Sequence, residues 1–140
     1  MATIKEKFDM ICDILNLNEY YDKGYQGQNV IIASVESTDS DHGEMVKDTI
    51  KTYAPNCKLI SYNDEHPDTS ATGDDGIDQS FPLFVDWCIE NKVDIVTSSL
   101  DWQCDKESEL KAIQKLYDNG IIFCNCAGNS GNEIYRSNVK

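Results

Sequence analysis

Basic residues are scarce in this chain. Lysine and arginine total 12 against 25 aspartates and glutamates, a formal charge of −13 over 140 residues. Such a surface repels nucleic acid phosphates and anionic membranes, which argues against both as partners; it is compatible with basic partners or cations, but its first reading is a plain solvated acidic surface. Histidine is scarcer still, with two residues, His42 and His66. Long apolar runs are missing. The longest lie around 30–33, 81–85 and 121–124, far short of the roughly 20 residues needed to span a bilayer. The opening residues, Met-Ala-Thr-Ile-Lys-Glu-Lys, begin a charged amphipathic pattern rather than the apolar core of a secretory leader. Six cysteines occur, Cys12, Cys57, Cys88, Cys104, Cys124 and Cys126, but no Cys-x-x-Cys pair. With so little histidine beside them, a zinc site is not expected. Without a leader, the expectation is reduced thiols and a cytoplasmic location.

What is present is a regular alternation. Apolar residues make up 40% of the chain, enough for one modest core in one domain of 140 residues. Residues 3–16 carry Ile4, Phe8, Ile11 and Leu15 at helical spacing. A glycine-rich turn follows at Gly24-Tyr25-Gln26-Gly27, then a near-continuous apolar run at 29–36, the pattern of a strand buried on both faces. Helices are expected at 43–53, with Met45, Val46, Thr49 and Ile50 on one face, at 81–91 behind Ser80 as N-cap, and at 106–118 before Gly120. Further strands are expected at 58–62, 93–100 and 121–126. The order α-β-α-β-α-β-α-β predicts a three-layer α/β/α fold on a mostly parallel sheet of about four strands with right-handed crossovers. The expected organisation is a helix and linker at 1–23, an α/β core at 24–131 and a tail at 132–140.

In such sheets ligands bind beyond the carboxyl ends of the strands. The residues there are Glu36 with the acidic stretch to Asp41, His42 at a helix start, the segment Ser98, Ser99, Leu100, Asp101 and Trp102, and Ala127 to Gly131. Topology alone therefore gathers a carboxylate, a histidine and Asn129 on one edge. The plainer alternative is that strand ends are polar because they reach solvent.

Five segments in order carry a resemblance. Gly27-Gln28-Asn29-Val30-Ile31-Ile32-Ala33-Ser34-Val35-Glu36-Ser37 resembles the first catalytic strand of the subtilisin-like (S8) serine peptidases, with Glu36 where that family has aspartate. His42-Gly43 resembles the start of its His-Gly-Thr-His motif, with Glu44 and Met45 in place of Thr-His. Ala54-Pro55-Asn56-Cys57-Lys58-Leu59 resembles its Ala-Pro-x-Ala-x-Leu segment, and Val93-Asp94-Ile95-Val96-Thr97-Ser98-Ser99-Leu100 the strand that lines its substrate cleft. Asn119 to Ile122, running into Ala127-Gly128-Asn129-Ser130-Gly131, resembles the strand that leads to its oxyanion-hole asparagine. The resemblance covers about residues 24–131 and implies the N-terminal half of a subtilisin-like domain.

The resemblance implies three catalytic roles. His42 would be the base, its neutral form favoured at a helix N-terminus. Glu36 would orient it, and Asn129 would donate to a tetrahedral oxyanion. Ser98, Ser99, Leu100 and Asp101 would line a bound peptide. The link from Glu36 to His42 is only five residues, shorter than the family's. The Gly-Thr-Ser-Met-Ala segment that holds the family's nucleophile does not occur in the 140 residues. Cys124 or Cys126 is the remote substitute. The chain is therefore expected to be inactive alone, or to be a non-catalytic module that binds a peptide or protein. No cofactor is expected. Calcium on the acidic loop (Asp64, Glu65, Asp68, Asp74, Asp75, Asp78) is the one alternative to a plain solvated loop. Ile121, Ile122, Phe123 and Cys124 read as an uncharged sheet edge that invites a second copy or a complementary chain.

Overall fold

Thr3 opens the first helix with a reciprocal cap. Its hydroxyl accepts from the Glu6 N–H at 3.2 Å, and the Glu6 carboxylate accepts from the Thr3 N–H at 2.7 Å. This helix, α1 (Ile4–Ile14), ends where Asn16 turns left-handed at φ +54°, a conformation asparagine tolerates. A second helix, α2 (Leu17–Asp22), follows immediately in what was expected to be linker. The computed structural model describes residues 3–36, 40–65, 80–99 and 106–126.

The remaining elements alternate as expected: β1 (Ile31–Ser34), α3 (Asp41–Tyr53), β2 (Lys58–Ser61), α4 (Tyr62–Glu65), α5 (Ser80–Glu90), β3 (Ile95–Ser98), α6 (Glu107–Asp118) and β4 (Ile122–Asn125). Three details differ from expectation. The strands are four residues each, because only those residues pair and the flanking ones already turn away. Tyr62 belongs to a one-turn helix rather than to β2. Met45 is 62% exposed, so α3 seats a different stripe, with Gly43 buried and Val46 and Ile50 half-buried.

The sheet has the order β2-β1-β3-β4, and every pairing is parallel. Right-handed crossovers place α3 on the face opposite α5 and α6, which gives the three-layer α/β/α arrangement. On the α5–α6 side, Ala33, Val35 and Val96 meet Phe81, Phe84, Val85, Cys88, Ala112 and Leu116. Tyr62 stands edge-on to Phe84 and to Trp87, each at 5.3 Å between ring centres, and Phe81 meets Phe123 at 5.6 Å. Such ring pairs add roughly 0.5–1.5 kcal/mol each beyond the area they bury. Trp87 also donates its indole N–H to Glu65 at 3.0 Å, which ties α4 to α5.

On the far side of β1, α1 and α2 lean on the end of α3. The Phe8 ring stacks on Tyr53 at 5.4 Å, and the Tyr21 hydroxyl donates to the Tyr53 carbonyl at 2.7 Å. Gly27 then brings the chain into β1 at φ +86°, with the space for a Cβ already filled by Ala54 and Cys57. The entry of β1 is fixed from the residue before β3, since the Ile31 N–H donates to the Asp94 carboxylate at 2.8 Å. At the opposite margin, β4 is an edge strand among the described residues. Ile122 is 59% exposed there, and Cys124 is exposed.

Candidate functional site

The connections leave β1 and β3 in opposite directions. From β1 the chain passes through α3 to β2 on one side, and from β3 through α6 to β4 on the other. The carboxyl ends of β1 and β3 therefore flank the topological switch point, where open α/β sheets form their binding crevice. Strand order is what the sequence does not display, and it selects this place along the sheet edge.

The register sets a polar row just below the crevice. Ser34 of β1 pairs with Ser61 of β2 and Thr97 of β3, and Thr97 pairs with Cys124 of β4. Paired residues in adjacent strands share a face, so small polar side chains replace the branched apolar ones of the preceding rows.

Glu36 sits two residues beyond Ser34 and is 4% exposed. A residue and its second neighbour in extended chain point the same way, which brings the two side chains together. The Ser34 hydroxyl donates to one carboxylate oxygen of Glu36 and accepts from the Glu36 N–H at 3.2 Å. The other carboxylate oxygen accepts the backbone N–H of Ser99, at the end of β3. The Glu36 carbonyl accepts from the Ser61 hydroxyl at 2.6 Å, and that hydroxyl accepts from the Asp64 N–H at 3.3 Å. One buried acid thus joins the ends of β1, β2 and β3. A buried carboxylate is tolerated only when hydrogen-bonded, and these donors meet that need.

The structure places the other candidates as follows. His42 lies exposed in the first turn of α3, behind Ser40, whose hydroxyl caps the helix by accepting from the Gly43 N–H at 3.0 Å. It shares the carboxyl edge with Glu36, but among the described residues the partners of the Glu36 carboxylate are Ser34 and Ser99. Ser98 is buried, and its carbonyl accepts the Cys126 N–H at 3.0 Å, so β3 carries β4 toward the same edge. Asn129, Leu100, Asp101 and most of the acidic loop, including Asp68, Asp74, Asp75 and Asp78, lie outside the described residues. The structure therefore brings together Glu36 and Ser99, one expected to be catalytic and one to bind substrate. Sequence reasoning missed Ser34 and Ser61. The available signal was that three strands end in serine, at Ser34, Ser61 and Ser98.

The thiols divide by environment. Burial pushes the Cys88 thiol up to about 12, which keeps it protonated and unreactive. Burial also raises Cys12, with the charges of Asp9 and Asp13 adding to it. Cys124 is exposed on the edge strand. Among the described residues, no group of three or more histidines, cysteines or acids is placed to hold a metal, and no helix is long and apolar enough to cross a membrane.

With this geometry in view, comparison with known proteins adds one finding. The chain is 24% identical over 152 aligned positions to the minor extracellular protease Epr of Bacillus subtilis (strain 168). The similarity to that protease is distant. The alignment takes in 84% of this chain and 23% of that protein, so the chain spans about a quarter of the relative's length. No protein-family model matches. The likeness supports at most a subtilisin-like relation at a distance.

Proposed function

We propose that this chain is a subtilisin-like peptidase fragment that carries the acid, base and peptide-binding edge of a serine peptidase site and does not hydrolyse peptides by itself. The observation that carries the reading is the joining of Glu36 to Ser99 across the switch point. That contact links the position that resembles the family's catalytic acid to the strand that resembles its substrate-binding segment. The protease likeness over 84% of the chain supports it. In this reading His42 is the base, Glu36 the acid and Asn129 the oxyanion donor, and a peptide lies extended beside the segment that begins at Ser98 and Ser99. The nucleophile comes from a complementary segment, and the uncharged strand β4 is the edge on which such a segment would continue the sheet.

A second reading is a non-catalytic module that binds peptide or protein at the same edge. The engagement of both Glu36 carboxylate oxygens by Ser34 and Ser99 favours it. A fluorophosphonate probe, which labels activated serines, separates the two. The probe is applied to the pure chain and to material co-purified from its native lysate, and adducts are read by mass. The fragment reading expects no adduct on this chain and an adduct on a co-purifying chain. An adduct on this chain contradicts the absence of a nucleophile. A stable partner without any adduct favours the binding module.

A further inference from the structure

Glu36 is the only acid at the sheet edge that the described structure shows buried and bonded to three strands at once. Its backbone carbonyl is held from β2 by Ser61, its N–H and one carboxylate oxygen by Ser34 of β1, and its second carboxylate oxygen by the Ser99 N–H beyond β3. The Ser99 bond is the one that crosses the crevice, and it spans 63 residues of sequence. A backbone amide bonded to a carboxylate is a charge-assisted contact, stronger than a neutral one and specific in direction. It fixes the backbone of Ser99 just where β3 stops pairing with β1, since the last β1–β3 pair is Ser34 with Thr97. Past that pair Ser98 is matched with Asn125 of β4, and the next amide, that of Ser99, is taken by the Glu36 side chain.

The residue type fits this use. Resemblance to the peptidases puts aspartate here, and aspartate is shorter by one carbon–carbon bond, about 1.5 Å. The longer glutamate lets a carboxylate anchored on β1 span to an amide at the end of β3. We infer that Glu36 is a positioning residue for the peptide-binding segment, its carboxylate holding the Ser99 amide across the β1/β3 crevice so that the Ser99 backbone, just past the last pairing of β3, is presented to an extended peptide. This role rests on the peptide-binding reading above, and it acts through Ser99 rather than on a reacting atom.

The test uses the full chain labelled with 15N and 13C. Wild-type protein at pH 7 should show a through-hydrogen-bond coupling between the Ser99 amide nitrogen and the Glu36 carboxyl carbon. Glu36→Asp should abolish that coupling and speed exchange of the Ser99 amide at least about tenfold, the loss expected when a hydrogen bond to a charged group goes. The amides of Ala33 and Val96, in the paired part of the sheet, should keep their protection. Glu36→Gln, equal in length and still an acceptor, should restore part of the protection. Affinity for fluorescein-labelled tryptic peptides of casein should fall about tenfold in Glu36→Asp and recover partly in Glu36→Gln. No coupling in wild type overturns the inference, and that measurement stands even if a variant fails to fold. So does a Ser99 amide, or a peptide affinity, unchanged by Glu36→Asp; either outcome leaves the peptide-binding reading intact. A coupled Ser99 amide in a chain that binds no casein peptide overturns the peptide-binding reading, and the role of Glu36 with it.

Discussion

Replacing Ser34 by alanine tests whether the buried acid depends on its donors. The Ser34 hydroxyl makes two bonds to Glu36, one to the carboxylate and one, at 3.2 Å, from the N–H. Ser34 is 4% exposed and Glu36 likewise 4%, so water does not replace what is lost without opening the site. A hydrogen bond to a charged group contributes about 1.5–3 kcal/mol and a neutral one about 1, so the expected loss is about 3 kcal/mol. A chain of this size has a total stability of roughly 7–20 kcal/mol, so the change is a sizeable fraction, equivalent to roughly 10 °C in Tm. Urea unfolding followed by tryptophan emission, to which Trp87 at 7% exposure contributes beside Trp102, measures it. Ser40→Ala is the control. That hydroxyl caps α3 by accepting from the Gly43 N–H, and its loss should cost about 1 kcal/mol. If Ser34→Ala costs less than about 0.5 kcal/mol, or no more than Ser40→Ala, the carboxylate does not need its neighbours and the argument for a tied strand edge fails.

Three further outcomes are expected. Gly27→Ala should destabilise by about 2–3 kcal/mol in thermal unfolding, because its φ of +86° strains any L residue and its Cβ would meet that of Ala54 at 3.0 Å. Gly24→Ala, at φ +84° with nothing within 4 Å, should cost only the conformational part, about 1 kcal/mol. Iodoacetamide at pH 8 followed by peptide mapping should modify exposed Cys124 well before Cys88, whose thiol is pushed up to about 12 by burial; equal rates would contradict the packing described. Acid should weaken the helices at their exposed ends. The Thr3 backbone N–H holds Glu6 below its ordinary 4.5, and hydrogen bonds from Lys23 and Lys111 do the same for Glu19 and Glu107. Lowered native values stabilise the fold above 4.5, and that contribution is lost as pH falls below it through the native values. Melting temperatures between pH 7 and 3 should therefore fall less steeply in a variant combining Glu6→Gln, Glu19→Gln and Glu107→Gln, by a small margin because all three are solvent-screened.

The fold class was legible because buried parallel strands and amphipathic helices write different periods, and those periods alternate along the chain. The helix at Leu17–Asp22 was not legible. Six residues show less than two turns of pattern, and the left-handed Asn16 breaks the phase with α1. Met45 was expected inside with Val46, Thr49 and Ile50, yet a stripe of Gly43, Val46 and Ile50 shares two of those residues and leaves Met45 and Thr49 out, and only packing chooses. The candidate edge was partly legible, since Glu36, His42, Ser98 and Ser99 each follow a strand or start a helix. That Glu36 reaches Ser99 was not, because the two lie 63 residues apart and meet only if β1 and β3 are neighbours. Sequence order suggests β1 beside β2 and β2 beside β3. The insertion of β1 between them is a property of the sheet.

That insertion also has a consequence in time. β1 receives β2 on one side early, through a short crossover, but its other side waits for β3. The pairing of Ile32 with Ile95 joins residues far apart in the chain. At a synthesis rate of 5–20 residues per second, Ser99 emerges roughly 3–13 s after Glu36, 63 positions earlier in the chain. Throughout that interval the apolar strand β1 has one bare edge and the Glu36 carboxylate lacks its Ser99 donor. The interval is one in which the nascent chain is open to mispairing and to capture by chaperones, and it closes when β3 docks.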